Sequence, residues 1–143
     1  MSKDWDSVKK WMHGKTVVRG DMTIQRVAEV MDSKNIGSVI VSIDDVEKGL
    51  LTERDILRKV IAKGLSPNSV ASAQVMTTPL VTVNQNATIW DAADIMKQHN
   101  IRRLPVTNER GEIIGIITTR TISNALPQAG ALKLGLHRMK HQE

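Results

Sequence analysis

The sequence predicts a mixed α/β (α+β) fold built from two copies of one strand, helix, strand, strand, helix unit. The first observation is an internal repeat, because residues 23–31 return as residues 88–96, and Ile24 and Ile89 are 65 positions apart. The second is that apolar residues recur at i, i+3, i+4 and i+7 in both segments, as in an amphipathic helix. So short a unit needs a partner to bury its apolar face. We therefore expect the copies to pack against each other and to leave paired clefts at their junction.

The repeat and the local composition divide the chain into five segments. A leading helix is expected over residues 1–15, where Trp5, Val8 and Met12 share one face and cap the core. A linker between the repeats, at residues 65–74, is rich in Ser, Pro and Asn, which favours a loop over a regular element. The remaining segments are the first repeat at 16–64, the second repeat at 75–126 and a basic tail at 127–143.

The elements of the first repeat follow from the spacing of its apolar residues and from the positions of its turn and helix-ending residues. Ile56, Leu57, Val60 and Ile61 are expected to face inward from the second helix, and Gly64 ends that helix. Two strands close in sequence, joined at Asp44-Asp45, are expected to form a hairpin. In chain order the predicted elements are a strand at 16–18, a turn at 19–21, a helix at 23–35, strands at 38–43 and 49–51, and a helix at 53–63.

The second repeat is predicted by the same reasoning. Pro105 has no backbone N–H, so its strand is expected at an edge of the sheet or beside a cleft. Trp11, which precedes both repeats, is expected to cover the core, with stacking on a base as the alternative. The predicted elements are a strand at 80–83, a helix at 89–99, a hairpin of 104–107 with 113–117 turned at 108–111, and a helix at 121–126.

Composition narrows the function classes. The chain of 143 residues has a net charge of +5, which favours anionic partners, but it has no Phe or Tyr and three Trp, a poor supply for stacking on single-stranded nucleic acid. It has no Cys, so disulfides and thiolate metal sites are excluded. No apolar run approaches the roughly 20 residues that a membrane span needs, and the expected location is cytoplasmic.

The order of elements, together with Gly49-Leu50-Leu51-Thr52-Glu53-Arg54-Asp55 and Val75-Met76-Thr77-Thr78-Pro79, resembles the cystathionine-β-synthase-type (CBS) domain pair. The resemblance covers roughly residues 16–126. It implies a stand-alone regulatory module of tandem β-α-β-β-α repeats, packed about a pseudo-twofold axis with two clefts for adenosine-containing ligands. It also implies that modules pair into homodimers, and that no catalytic cofactor or metal is required.

Thr52 and Asp55 carry the most specific part of this resemblance. In the family, an acid at this place binds the ribose hydroxyls and the Ser or Thr three residues earlier contacts ribose or phosphate. Thr-x-x-Asp is also a helix capping box, in which each side chain accepts the backbone N–H of the other residue. The two roles are compatible, whereas Thr88 and Asp91 form a similar box that we interpret as structural only.

The second copy departs from the pattern, because Thr121 stands where the ribose acid is expected, so its cleft is predicted to bind nucleosides more weakly. Arg102 and Arg103 precede a strand at a place where the family often has a cation touching phosphate. The family usually holds adenine by apolar walls and backbone hydrogen bonds, and Thr16, Val18 and Val39 are the candidates for this role in the first copy. The residues expected to contact ligand are Thr16, Val18, Gly37, Ser38, Val39, Thr52, Arg54 and Asp55 in the first cleft, Lys15 beside it, and Arg102, Arg103, Pro105, Thr118, Arg120 and Thr121 in the second cleft and at phosphate.

The function favoured by these residues is a non-catalytic sensor that binds AMP, ADP or ATP between its repeats and signals to a regulated partner protein by a conformational change. One alternative is a nucleic-acid-binding protein that uses the basic surface. Another is a dimeric docking module that binds S-adenosylmethionine or no ligand. An enzyme is not expected, because the sequence has no Walker-type loop, no nucleophile with an adjacent His and acid, and no metal-ligand cluster.

Overall fold

A computed structural model of the protein describes residues 5–128. The described residues form two compact units, with residues 15–80 in the first unit and residues 5–14 and 81–128 in the second. Within this range no helix combines the length and the apolar character needed to cross a bilayer. The predicted basic tail lies outside the described residues from position 129 onward.

The first unit contains a three-stranded sheet with the order β1-β2-β3. Its strands are β1 (Val17–Arg19), β2 (Ser38–Ile43) and β3 (Val46–Thr52), with β1 parallel and β3 antiparallel to β2. The predicted hairpin turn is confirmed, because Asp44 and Asp45 both have positive φ, at 52° and 63°. Positive φ at both central residues is the geometry of the two-residue turn that matches strand twist.

Helix α2 (Ile24–Lys34) covers one face of this sheet and agrees with its prediction. The Thr23 hydroxyl accepts the Arg26 backbone N–H and begins the helix, while Asn35 ends it in the left-handed conformation with φ 53°. Ile24, Val27 and Met31 lie on the buried face, as their spacing of three and four residues predicts.

The second helix of this unit is not the continuous α-helix that was predicted over 53–63. Helix α3 (Glu53–Ile56) is followed directly by a π-helical segment (Leu57–Ile61). The next residue, Ala62, donates its N–H to the Leu57 carbonyl five residues earlier, over 2.8 Å. The wider turn changes which side chains face the core. The prediction was therefore wrong for Leu57 and Ile61, which are 59% and 51% exposed, whereas Val60 is buried.

The segment that follows the linker packs on the first unit. Helix α4 (Ser72–Val75) lies partly within the predicted linker, and Val75 is buried in the same core as α2. Thr77 pairs with Leu50 on β3, its N–H donating over 2.8 Å and its carbonyl accepting over 3.0 Å. The structure thus groups residues 75–80 with the first unit, although their sequence motif opens the second repeat.

The second unit repeats this plan. Its elements are α1 (Val8–Trp11), β4 (Val83–Asn84), α5 (Ile89–His99), β5 (Arg103–Thr107), β6 (Ile113–Thr118) and α6 (Thr119–Gln128), with sheet order β4-β5-β6. The leading helix is shorter than predicted, since Met12 is extended and His13 pairs with Ile116 of β6. Its expected capping role is confirmed, because Val8 is buried and Trp5, Trp11 and Met12 pack against the core.

Pro105 does not lie on an edge strand, because β5 is the central strand of its sheet. In the first unit the equivalent residue, Ile40, donates its N–H to the Thr16 carbonyl over 2.8 Å. Pro105 cannot make this bond, and β4 pairs with β5 only from Val83, opposite Val106. The sheet therefore tolerates proline by shortening the neighbouring strand, and the strand predicted at 80–83 is reduced to Val83–Asn84.

Candidate functional site

The hairpin of the first unit brings two separate motifs together. Ser38 at the start of β2 lies opposite Thr52 at the end of β3. The adjoining Gly37 carbonyl accepts the Glu53 backbone N–H over 3.1 Å, so the α2–β2 loop is tied to the beginning of α3. The sequence places these residues far apart, and strand pairing makes Gly37, Ser38 and Thr52 neighbours.

The capping box fixes the Asp55 carboxylate at this point. Asp55 Oδ2 accepts the Thr52 backbone N–H over 2.9 Å and the Thr52 hydroxyl over 3.2 Å. In return, the Thr52 hydroxyl accepts the Asp55 backbone N–H over 3.2 Å. The capping role is therefore confirmed. The cap uses only the Oδ2 oxygen of the Asp55 carboxylate. The other oxygen, Oδ1, lies 3.2 Å from the Lys59 ammonium.

The equivalent place in the second unit has hydroxyls and an imidazole instead. Thr121 is buried, its hydroxyl lies 2.9 Å from that of Thr118, and its backbone N–H donates to the same Thr118 hydroxyl over 3.0 Å. The Thr121 hydroxyl also lies 2.8 Å from His13 Nε2. This arrangement offers no carboxylate to a sugar diol.

The predicted cations differ in how they are engaged. Arg54, Arg102 and Arg120 are exposed at the surface, while Arg103 is half-buried on β5. Lys15 is held by Glu47, with its ammonium 2.9 Å and 2.8 Å from the two carboxylate oxygens. A phosphate would therefore have to share the Lys15 ammonium with Glu47 or displace that carboxylate.

Two of the predicted contacts with adenine are part of the core. Val18 and Val39 are 5% and 1% exposed and pack with Leu51, so their side chains are unavailable to a ligand. Thr16 is half-buried, and its carbonyl accepts the Ile40 N–H. In these strands a ligand could use only backbone groups or side chains that point away from the core.

A groove of about 430 Å³ between α5 and α6 lies apart from these residues. Its floor is mostly apolar, and none of the predicted site residues lines it. Among the residues that the structure describes, no group of three or more His, Asp or Glu side chains is placed to hold a metal ion.

One protein-family model matches the chain twice, once for each repeat. The model described as CBS domain matches residues 8–62 and 71–128, which is more than half of the chain. The chain belongs to the CBS domain family. Each match begins several residues before the first strand of its repeat. The first match includes Trp11-Met12-His13, whose His13 bridges to β6, and the second includes Val75-Met76-Thr77, whose Thr77 bridges to β3.

Known CBS relatives are small proteins as well as parts of larger ones. Hypoxic response protein 1 of Mycobacterium tuberculosis (strain H37Rv) is 34% identical over 116 residues, which cover 80% of both chains. Uncharacterized protein MK0525 of Methanopyrus kandleri is 36% identical over 106 residues, which cover 73% of this chain and 54% of that protein. The chain thus spans about half the length of this second relative.

A solved CBS structure relates the fold to a ligand. The CBS domain protein PAE2072 from Pyrobaculum aerophilum, complexed with AMP, matches with a TM-score of 0.73 and 25% identity. The match covers 80% of this chain and 88% of that one. The fold of this CBS protein is therefore shared with one that binds AMP.

Three residues in these CBS repeats were missed by the sequence prediction. Lys59 follows Asp55 by four positions, so the i, i+4 spacing of opposite charges could have identified it. Glu47 carries no comparable sequence pattern with Lys15. His13 is separated from Thr121 by 108 positions, and only the correspondence between Met12-His13 and Met76-Thr77 indicates its place.

Proposed function

We propose that the first CBS repeat binds the ribose of an adenine nucleotide (AMP, ADP or ATP) and that this occupancy regulates a partner protein. The observation that carries the proposal is the Asp55 carboxylate, held through Oδ2 by Thr52, which in turn lies opposite Ser38 in the hairpin. Adjacent sugar hydroxyls would donate to this carboxylate, and charge-assisted bonds of this kind are among the stronger ones in proteins. The AMP complex of PAE2072 supports the choice of ligand class.

The second repeat would bind nucleosides more weakly under this proposal. Thr121 presents a hydroxyl that already lies within hydrogen-bond distance of Thr118 and His13. A hydroxyl can accept a bond from one sugar hydroxyl, but it lacks the charge and the second oxygen of Asp55. We propose that Arg102 and Arg103 serve phosphate recognition and that Arg54 does so beside Asp55.

Regulation by this protein would be non-catalytic. A bound nucleotide can shift a conformational equilibrium only by the difference between its affinities for the two states. The regulated partner must therefore distinguish two arrangements of the protein, one of which binds adenosine more tightly. S-adenosylmethionine shares the adenosine group and is the alternative ligand.

We further propose that the protein acts as a homodimer. Leu57 and Ile61 are 59% and 51% exposed, and they lie four residues apart in the π-helical segment. Large exposed apolar side chains that cluster on one surface mark interaction sites. A second copy of the chain is the partner that the family resemblance implies.

Calorimetric titration of two matched variants tests the nucleotide site. Asp55→Asn keeps an oxygen for the cap but removes the charge, and Asp91→Asn does the same in the equivalent box of α5, where Thr88 N–H donates to Asp91 over 2.9 Å. We expect Asp55→Asn to weaken adenosine and AMP binding at least about tenfold, because a hydrogen bond to a charged group is worth about 1.5–3 kcal/mol.

Asp91→Asn should bind as the unmodified protein does, with a similar loss of stability from its weakened cap. Equal affinities in the two variants would contradict a ribose role for Asp55. If adenosine, AMP, ADP, ATP and S-adenosylmethionine all fail to bind the unmodified protein at millimolar concentration, the nucleotide proposal is wrong.

A further inference from the structure

The Lys59 ammonium makes three contacts within the first unit. It lies 3.2 Å from Asp55 Oδ1, donates to the Val75 carbonyl over 2.9 Å and lies 3.4 Å from the Thr77 hydroxyl. An ammonium group has three N–H donors and no acceptor. One side chain thus joins the proposed sugar carboxylate to two residues of the segment that leads into the second repeat.

The oxygen that Lys59 contacts is the one that a ribose needs. Oδ2 of Asp55 already accepts the backbone N–H and the hydroxyl of Thr52. A carboxylate oxygen accepts about two hydrogen bonds, so both hydroxyls of a sugar diol would have to use Oδ1, and one of them would compete with the ammonium 3.2 Å away. The Asp55 side chain is 16% exposed and that of Lys59 is 45% exposed, so the ammonium can move into solvent without unfolding the helix.

The backbone around Lys59 is unusual as well. Lys59 is the central residue of the π-helical segment Leu57–Ile61. Single π-helical turns within helices occur frequently at functional sites. Here the π-helical turn carries Lys59, whose ammonium contacts both Asp55 and Val75.

We propose that Lys59 is an internal competitor for the ribose site and that its displacement transmits occupancy to Val75 and Thr77. This inference rests on the proposed nucleotide function. When the sugar takes Oδ1, the Lys59 ammonium moves into solvent, and its bonds to the Val75 carbonyl and the Thr77 hydroxyl are lost. Thr77 is held to β3 by its pairing with Leu50, so loosening begins at this pair.

Adenosine titration of Lys59→Met tests the competition, with Lys63→Met as the matched control. Both variants lose one positive charge from the same part of the chain, and Lys63 is exposed and has no ion pair with another described residue. We expect Lys59→Met to bind adenosine about two- to fivefold more tightly, since i, i+4 ion pairs on helices are modest in strength. Lys63→Met should bind as the unmodified protein does. Adenosine is the probe because it has no phosphate that would respond to the lost charge.

Hydrogen exchange of the Thr77 amide tests the transmission. In the unmodified protein, adenosine should accelerate exchange at Thr77, whose N–H donates to the Leu50 carbonyl. In Lys59→Met the exchange should already be fast and should not respond to adenosine. Lys59→Gln, which lacks the charge but keeps a donor, should give an intermediate rate and serves if Lys59→Met does not fold.

The outcomes separate the two proposals. Adenosine binding that is equal or weaker in Lys59→Met, or in Lys59→Gln if that variant is used, would overturn the competition, while the nucleotide function would stand. A Thr77 amide that ignores adenosine in the unmodified protein would overturn the transmission. Absence of adenosine binding to the unmodified protein would overturn this inference, and absence of binding by AMP, ADP, ATP and S-adenosylmethionine as well would overturn the nucleotide function.

Discussion

Two equivalent glycines show how the repeats differ at single residues. Gly49 lies opposite Val41 and Gly115 lies opposite Val106, so they occupy the same place in the two sheets. A Cβ on Gly49 would lie 2.6 Å from the Met76 sulfur, whereas a Cβ on Gly115 would lie 2.6 Å from the His13 carbonyl oxygen. A methionine side chain can move aside, and a carbonyl held in a backbone pair cannot do so cheaply.

We therefore expect Gly115→Ala to destabilise the protein more than Gly49→Ala. Overpacking costs about 1–3 kcal/mol, and the backbone clash should give the upper part of that range. Urea unfolding of both variants measures the difference, and Gly14→Ala is the control because a Cβ there meets no atom within 4 Å. An equal or larger loss for Gly49→Ala would contradict this interpretation of the two contacts.

The candidate site shows which contacts could be predicted from the sequence and which could not. Thr52 and Asp55 were identified because a local motif and the repeat agree, and the structure confirms that they interact. Val18 and Val39 were chosen as apolar walls, but apolar composition does not tell which face of a strand meets the core. The contacts of Lys59 with Val75 and of His13 with Thr121 depend on tertiary packing, which no local spacing records.

At the scale of elements, the two hairpin turns provide the next prediction. Asp45 has φ 63° without being glycine, while Gly111 in the other hairpin has φ 79°. A side chain in the left-handed region costs roughly 1–2 kcal/mol, although Asp tolerates it better than most residues. Asp45→Gly should therefore stabilise the protein by a few tenths to about 1 kcal/mol, and Gly111→Ala should destabilise it by about 1–2 kcal/mol.

Thermal unfolding of these two variants tests the turn assignment. A Cβ on Gly111 meets no atom within 4 Å, so its cost would come from backbone conformation alone. Gly14→Ala again controls for the general effect of adding a methyl group. A Gly111→Ala variant as stable as the unmodified protein would show that φ at this position is not positive in solution.

The long helices were predictable because several local preferences agree in each. Both α2 and α5 begin after a Thr cap and end at an Asn with φ 53°, at corresponding positions of the repeat. The second helix of the first repeat was not predictable in the same way. Its apolar pattern reads as a regular α-helix, and the π-helical segment that exposes Leu57 and Ile61 has no sequence marker.

For the whole molecule, duplication explains the plan, and divergence explains why the copies need not act alike. Each unit has the same sheet order and the same bridge to its last strand, made by Thr77 to β3 in one and by His13 to β6 in the other. The acid and lysine of the first unit correspond to Thr121 and Ala125 in the second. The capacity to hold a ribose is therefore expected to be concentrated in one repeat.

The exposed apolar residues of the first unit give the last prediction, which concerns assembly. Leu57 and Ile61 lie one helical turn apart and are more than half exposed. Sedimentation analysis should give the unmodified protein twice the chain mass of 15.8 kDa, and Leu57→Glu with Ile61→Glu should give the single-chain mass. Burying two carboxylates without partners costs several kcal/mol, enough to separate the copies.

Lys63→Glu, which changes charge on the same part of the chain without removing apolar surface, should remain dimeric. A dimer that survives both glutamates would place the contact elsewhere on the protein, and a monomeric unmodified protein would contradict the dimer itself.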